Sequence, residues 1–194
     1  MGLVRVERLC EEFDVEFDAW AFDLRPGLPP EGLPRDEVYR EGRYPPGYLD
    51  RLREMARESG IQMIAPPVVA NTRKAHEATE FAKEGGCLPQ FHRGVFAAYW
   101  EKGENIGDEN VLCRLARECG LDAERLQAAL ADGRYTQRVD EQMAWARDAG
   151  LGGVPTFVFS TGEGGTFALV GAQDYEVFAD VARRIQRGEL KAKG

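Results

Sequence analysis

The chain reads as α/β with an all-helical insertion. Three observations predict this. An amphipathic start gives way to a period-two apolar stretch, a long middle is punctuated by helix caps and glycines, and two short β-branched and aromatic runs precede a last helix. With 194 residues, 43% of them hydrophobic and 10% aromatic, the chain can bury a sizeable core. Charged residues make up 30% and are mixed in sign, which excludes a disordered tail or a collagen-like rod. A net charge of −8 argues against nucleic acid or an anionic membrane as the main partner, because both require a cationic footprint. No apolar run approaches the roughly 18 residues of a membrane span. The opening MGLVRVERLCEEF carries Arg5 and Arg8 inside an amphipathic pattern and lacks the apolar centre of a signal peptide, so a cytoplasmic protein is expected.

Each element has its own warrant. Residues 3–13 place Val4, Val6, Leu9 and Phe13 on or near one helical face. Residues 15–24 (VEFDAWAFDL) alternate at Val15, Phe17 and Ala19, then carry Trp20 and Phe22, and read as a strand. The next ten, RPGLPPEGLP, hold four prolines and predict an extended, solvent-facing loop. Residues 47–59 read as a charge-rich, solvated helix ending at Gly60, and MIAPPVVANTR reads as an irregular connector. From Asn71 to Gly133 the pattern is helical. Asn71 or Thr72 caps a helix that stops at Gly85-Gly86, and FHRGVFAAYWEKG follows. Asp108 and Asp122 then cap helices ending at Gly120 and Gly133. Another helix spans roughly 135–148. TFVFS, the turn TGEGG and TFALV predict a hairpin, and a helix from Asp174 to Gln186 precedes a charged tail.

The soft ligands suggest no metal site. Cys10, Cys87, Cys113 and Cys119 form no C-x-x-C and are too scattered for a disulfide scaffold. Cys113 and Cys119 lie about 240° apart around one helix. Cys10, beside Leu9 and Phe13 two turns into the first helix, is expected to be a buried, inert thiol. None of the four is expected at a helix N-terminus. His76 and His92 stand among polar neighbours and read as solvated or capping. Phe91, Phe96, Tyr99 and Trp100 read as core and cleft wall, and Trp20 and Phe22 as core or, alternatively, as lining of the cleft.

Five segments, in order and with natural spacing, carry a resemblance. WAFDLRPGLPPEG, ANTRKAHEATEFAKEGG, FHRGVFAAYWEKGENIGDENVL, GVPTFVF and VGAQDYEVF are together similar to the DsbA-like thioredoxin-fold family, in its FrnE-type and 2-hydroxychromene-2-carboxylate isomerase-like branch. The resemblance covers nearly the whole chain. It implies one DsbA-like domain over 1–194, with thioredoxin-like parts at about 1–30 and 149–188 and a helical insertion at about 47–148. Within it, residues 71–148 are expected to hold no strands and to contact the strand at 156–160, and Val154-Pro155 is expected to be cis. The family's first strand and its C-P-W-C motif are missing, and by spacing both fall just upstream of Met1. That strand would be central, with residues 15–24 and 156–160 on either side, so a natural product starting upstream is the expectation.

The chemistry implied by the resemblance is thiol–disulfide exchange. A cysteine at a helix N-terminus faces unpaired N–H groups and the positive end of the macrodipole, which stabilise its thiolate. No catalytic residue of that kind is expected within 1–194, so little or no dithiol exchange is expected of the chain as it stands. The substrate-binding residues implied are Val154, Pro155, Thr156, Asn71 and Gln173. The Val154 backbone would pair with an extended peptide or with glutathione. Asn71 is either a helix cap or a contact to a thiol ligand. Gln173 and Asp174 either cap the last helix or hold a peptide or γ-glutamyl group at its N-terminus. No resident cofactor or metal is implied, and glutathione enters only as substrate or co-substrate. The partners implied are a thiol or disulfide peptide or a small thiol, with no nucleic acid and no membrane, and a homodimer stays open. Three functions remain at this level: an oxidoreductase, a glutathione-dependent isomerase or transferase, and a redox-dead peptide-binding module.

Overall fold

The computed structural model describes residues 1–39, 47–160 and 166–190. The chain forms two compact units, one of Met1–Phe17 with Arg147–Gly194 and one of Asp18–Ala146. Among the described residues no helix is long and apolar enough to cross a membrane.

The first unit combines α1 (Gly2–Glu12), a hairpin of β3 (Thr156–Ser160) and β4 (Thr166–Val170), and α9 (Tyr175–Gln186). The expected hairpin forms, antiparallel and in register from Thr156↔Val170 to Ser160↔Thr166; its TGEGG turn lies outside the described residues. Alternation along the strands puts Phe157, Phe159 and Leu169 on one face, against a core of Leu9, Phe178 and Ala182. Phe157 meets Phe178 edge-to-face at 4.7 Å. At the helix ends Tyr175 donates to Glu12 Oε2 at 2.6 Å, and the Arg8 guanidinium lies 3.7 Å over the Tyr175 ring. Burial and Glu12 push the Tyr175 phenol up to about 12, while Tyr175 and Arg8 hold the Glu12 carboxyl below its usual range. Two expectations for α1 need correction. Val4 is 40% exposed, and Cys10 is exposed rather than buried. Leu9 takes the inward position, and its neighbour stands about 100° further round the axis.

In the second unit the helices fall where caps and glycines predicted. They are α3 (Tyr48–Glu58), α4 (Arg73–Glu84), α5 (Leu88–Trp100), α6 (Glu109–Glu118), α7 (Ala123–Ala131) and α8 (Thr136–Asp148), and no strand interrupts 73–148. Asp108 caps α6 by accepting from Asn110 N at 2.9 Å, and Asp122 caps α7 by accepting from Arg125 N at 3.0 Å. The core gathers Phe91, Leu112, Leu115 and Leu126 with the alanines of α4, α6 and α7, which let the helices approach closely. Phe96 is an exception to the expected aromatic core: it is 45% exposed and stacks on His92.

The segment expected as a strand at 15–24 forms none. Alternation writes the side-chain pattern of a pleat, but a strand also needs a ladder partner, and here helix side chains take that place. Ala21 N donates to Gln142 Oε1 at 2.8 Å, and Gln142 Nε2 donates to Glu80 Oε1 at 2.8 Å. Lys83 bridges Glu80 and Asp18 at 2.7 Å each. Trp20 is not core either: it is 52% exposed, donates to Asp18 and stacks on Trp145.

The Pro-rich loop is anchored rather than simply solvent-facing. Asn71 Nδ2 donates to Leu28 O at 2.7 Å and Asn105 Nδ2 to Glu31 O at 3.1 Å. The loop ends in β1 (Leu33–Pro34), which pairs with β2 (Val68–Val69) in the connector expected to be irregular, and α2 (Arg35–Val38) follows. Gly32 makes this possible. Its φ is +79°, and a Cβ there would lie 2.6 Å from Val69 O.

Candidate functional site

Four of the five expected binding residues converge in the first unit. The Val154-Pro155 bond is cis, as expected. Pro155 has no N–H to give a ladder, which suits its place just before β3. Its carbonyl accepts from Gly171 N at 2.8 Å, and Thr156 Oγ1 donates back to Gly153 O at 2.8 Å. Thr156 pairs with Val170, whose carbonyl accepts from Gln173 Nε2 at 2.8 Å. Residues 153–156 and 170–173 therefore form one hydrogen-bonded corner. Gln173 spends its amide on closing that corner. Asp174 occupies the N-cap position of α9, but its side chain makes no cap bond.

Val154 is 50% exposed, and among the described residues no hydrogen bond is made by its backbone N–H or C=O. Beside it lies the start of α1. A Cβ on Gly2 would sit 2.7 Å from Phe157 Cζ and 3.6 Å from Pro155 Cγ, so the helix begins in direct contact with the proline corner. No side chain caps α1, and its first turn holds no acidic residue. The positive end of its dipole therefore lies at this corner, where it favours a negative group. The cysteine of this unit, Cys10, stands eight residues on, about 12 Å along the axis. Burial and Glu7 push its thiol up.

Asn71 belongs to the second unit. Its Nδ2 holds Leu28 O and its Oδ1 accepts from Arg73 N at 2.9 Å, while Thr72, the residue at the N-cap position of α4, makes no side-chain cap. The cap reading of Asn71 is thus the one its geometry fills. Arg73 adds bonds to Glu77 at 2.9 Å and Thr136 O at 2.9 Å.

Sequence reasoning missed three features of this unit. His76 is not solvated: its Nε2 is buried without a hydrogen-bond partner among the described residues, and burial pushes the imidazole down to about 4 despite Asp23. Glu77 and Glu80 are 5% and 2% exposed. The i+3 spacing of Glu80 and Lys83 was the available signal, though it is as common on solvated helices. Cys87 does lie at a helix N-terminus, as the N-cap residue of α5, because that helix starts at Leu88 rather than at Phe91.

Comparison with known proteins agrees with this architecture. The chain is 28% identical over 181 residues to the uncharacterised protein YwbO of Bacillus subtilis, covering 92% of this chain and 86% of that one. A probable DsbA oxidoreductase from Streptomyces coelicolor superposes with a TM-score of 0.82 at 24% identity, over 100% of this chain and 86% of the other. A 2-hydroxychromene-2-carboxylate isomerase superposes with a TM-score of 0.70 at 19% identity, over 98% and 92%. Residues 1–183 match the family described as the DSBA-like thioredoxin domain, and the chain belongs to that family.

Proposed function

We propose that the first unit is the substrate-docking half of a thiol–disulfide oxidoreductase of the DsbA-like kind. An extended peptide carrying a thiol or disulfide runs past Val154-Pro155-Thr156, pairs with the Val154 backbone as an added strand would, and presents its sulfur to the N-terminus of α1. The observation that carries this reading is the contact of Gly2 with Pro155 and Phe157, which sets an uncapped helix start against an exposed, unpaired Val154. With Cys10 about 12 Å away along α1, residues 1–194 dock thiols at this corner without exchanging them there. An isomerase that activates a small thiol would use the same corner. The side chain of Asn71, already spent on Leu28 O and the Arg73 amide, favours the peptide reading.

Two measurements test it, both in a Cys87→Ser/Cys119→Ser background that removes the half-buried thiols of the second unit. An extended peptide with serine in place of cysteine should shift the backbone resonances of Val154, Thr156 and Gly171. Shifts confined to α4–α8 would overturn the docking site. In insulin reduction the 194-residue chain should stay at background, whereas adding a strand and a C-P-x-C segment ahead of Gly2 should confer turnover. Turnover by the unextended chain, abolished by Cys10→Ser, would show that Cys10 is the nucleophile.

A further inference from the structure

The second unit holds a pair of thiols that no C-x-x-C pattern announces. Cys87 and Cys119 are 32 positions apart, yet Cys87 Sγ lies 3.1 Å from the Cys119 carbonyl oxygen and donates to it. Two helix ends bring them together. Cys87 is the N-cap residue of α5, with its N–H on Ala82 O at 2.9 Å and its carbonyl accepting from Phe91 N at 3.0 Å. Cys119 is the C-cap residue of α6, with its N–H on Ala116 O at 3.1 Å. The turns beside them pack directly, since a Cβ on Gly85 would run into Leu121 Cδ2. The two backbones are therefore pinned by hydrogen bonds. Because the acceptor oxygen belongs to Cys119 itself, the Cys87 sulfur already reaches its partner residue, and rotation about the two χ1 angles is the freedom left to bring the sulfurs together.

Both thiols are half-buried, so a small reagent reaches them. Cys113, by contrast, is buried, with its Sγ aimed at Ala123 O, and Cys10 belongs to the other unit. The Cys119 thiol is pushed up by burial, then by the neighbouring Cys87 thiol and Glu118. Cys87 stands at the start of α5, whose opening N–H groups face an attacking sulfur, and attacks first.

We propose that Cys87 and Cys119 form a redox-active dithiol that reduces a small-molecule disulfide and closes an intramolecular bridge between α5 and α6. The Cys87 thiolate attacks one sulfur of the small disulfide, breaking its S–S bond and releasing one thiolate, which takes up the proton Cys87 gave away. Cys119 then loses its proton and attacks the Cys87 sulfur of the mixed disulfide, expelling the second thiolate. One S–S bond is broken and one made, and two electrons pass from the protein to the small molecule. The inference does not rest on the reading of the proline corner.

The test equilibrates the native, fully reduced 194-residue chain with glutathione buffers of rising oxidised fraction, then alkylates it and maps the peptides by mass. The expected result is joint loss of two free thiols, a linked peptide pair containing Cys87 and Cys119, and a rise in Tm of roughly 5–10 °C on closure. Cys10→Ser and Cys113→Ser should leave this unchanged, and Cys119→Ser should trap one glutathione on Cys87. If Cys119→Ser does not fold, the wild-type peptide map decides alone. Cys87 and Cys119 remaining alkylated at every ratio, or a bridge linking different cysteines or two chains, would overturn the proposal.

Discussion

The helical unit buries Phe91, Leu112, Leu115 and Leu126 at 2% exposure or less, and threads Glu77, Glu80 and Gln142 through the same interior. The unit of α1, the hairpin and α9 closes around Leu9, Phe178 and Ala182, with Ala179 also buried and the larger apolar side chains packed on that cluster only partly covered. One region thus combines a thick core with polar side chains hydrogen-bonded inside it. The other depends on a few rings. The difference teaches where each is vulnerable: the first to the loss of a hydrogen-bond partner, the second to the loss of a single side chain.

The largest expected effect tests the thinner region. Phe178→Ala removes the ring that Phe157 and Phe159 pack on, and should cost about 3–5 kcal/mol. Urea unfolding would read the loss, with amide exchange accelerated in α1 and α9. A cost under about 1 kcal/mol would mean that the core refills and the contrast is false.

Next comes the polar interior. Gln142→Leu keeps the volume but strands the Ala21 amide and leaves Glu80 Oε1 with Lys83 alone, for an expected loss of about 1–3 kcal/mol. If the variant matches wild type in chemical denaturation, those bonds do not hold the 18–23 segment.

His76 gives a comparable effect that depends on pH. Its folded value of about 4 lies below the ordinary 6.5, so between these values the unfolded chain binds a proton that the folded chain refuses. Stability is therefore full above about pH 6.5 and falls with pH toward 4. From pH 7 to pH 5 the loss attributable to His76 should be about 2 kcal/mol. His76→Phe should flatten that part of the urea-midpoint profile, and an unchanged slope would place the imidazole in water.

The smallest is a cap. Asp122→Ala removes the acceptor for Arg125 N and should cost about 1 kcal/mol. Thermal melts should show it, together with faster exchange in the first turn of α7.

These four positions also mark what was legible beforehand. Asp108 and Asp122, the glycine stops and the β-branched hairpin runs act within a few residues, so their positions in the chain already carry their structural meaning. The proline corner was legible through the family resemblance, which supplied the cis bond that Val154, Pro155 and Thr156 alone do not announce. The rest depends on residues brought together from far along the chain. Ala21 meets Gln142 across 121 positions and Cys87 meets Cys119 across 32, and no local spacing signals either pair. The same holds for His76 and Glu80, whose burial is decided by what packs over α4. Alternation at 15–24 misled for a related reason, since it describes which way side chains point and not what the backbone bonds to.

The clasp between the Pro-rich loop and β2 has a consequence for sequence drift. Gly27 and Gly32 both hold positive φ, but a side chain at Gly27 meets nothing within 4 Å, whereas one at Gly32 meets the Val69 carbonyl and the Val68 side chain. In a randomised library over 25–34 selected for folded protein, position 27 should return asparagine and aspartate beside glycine. Position 32 should return glycine alone, and insertions should be accepted ahead of Pro29 and rejected between Gly32 and Pro34.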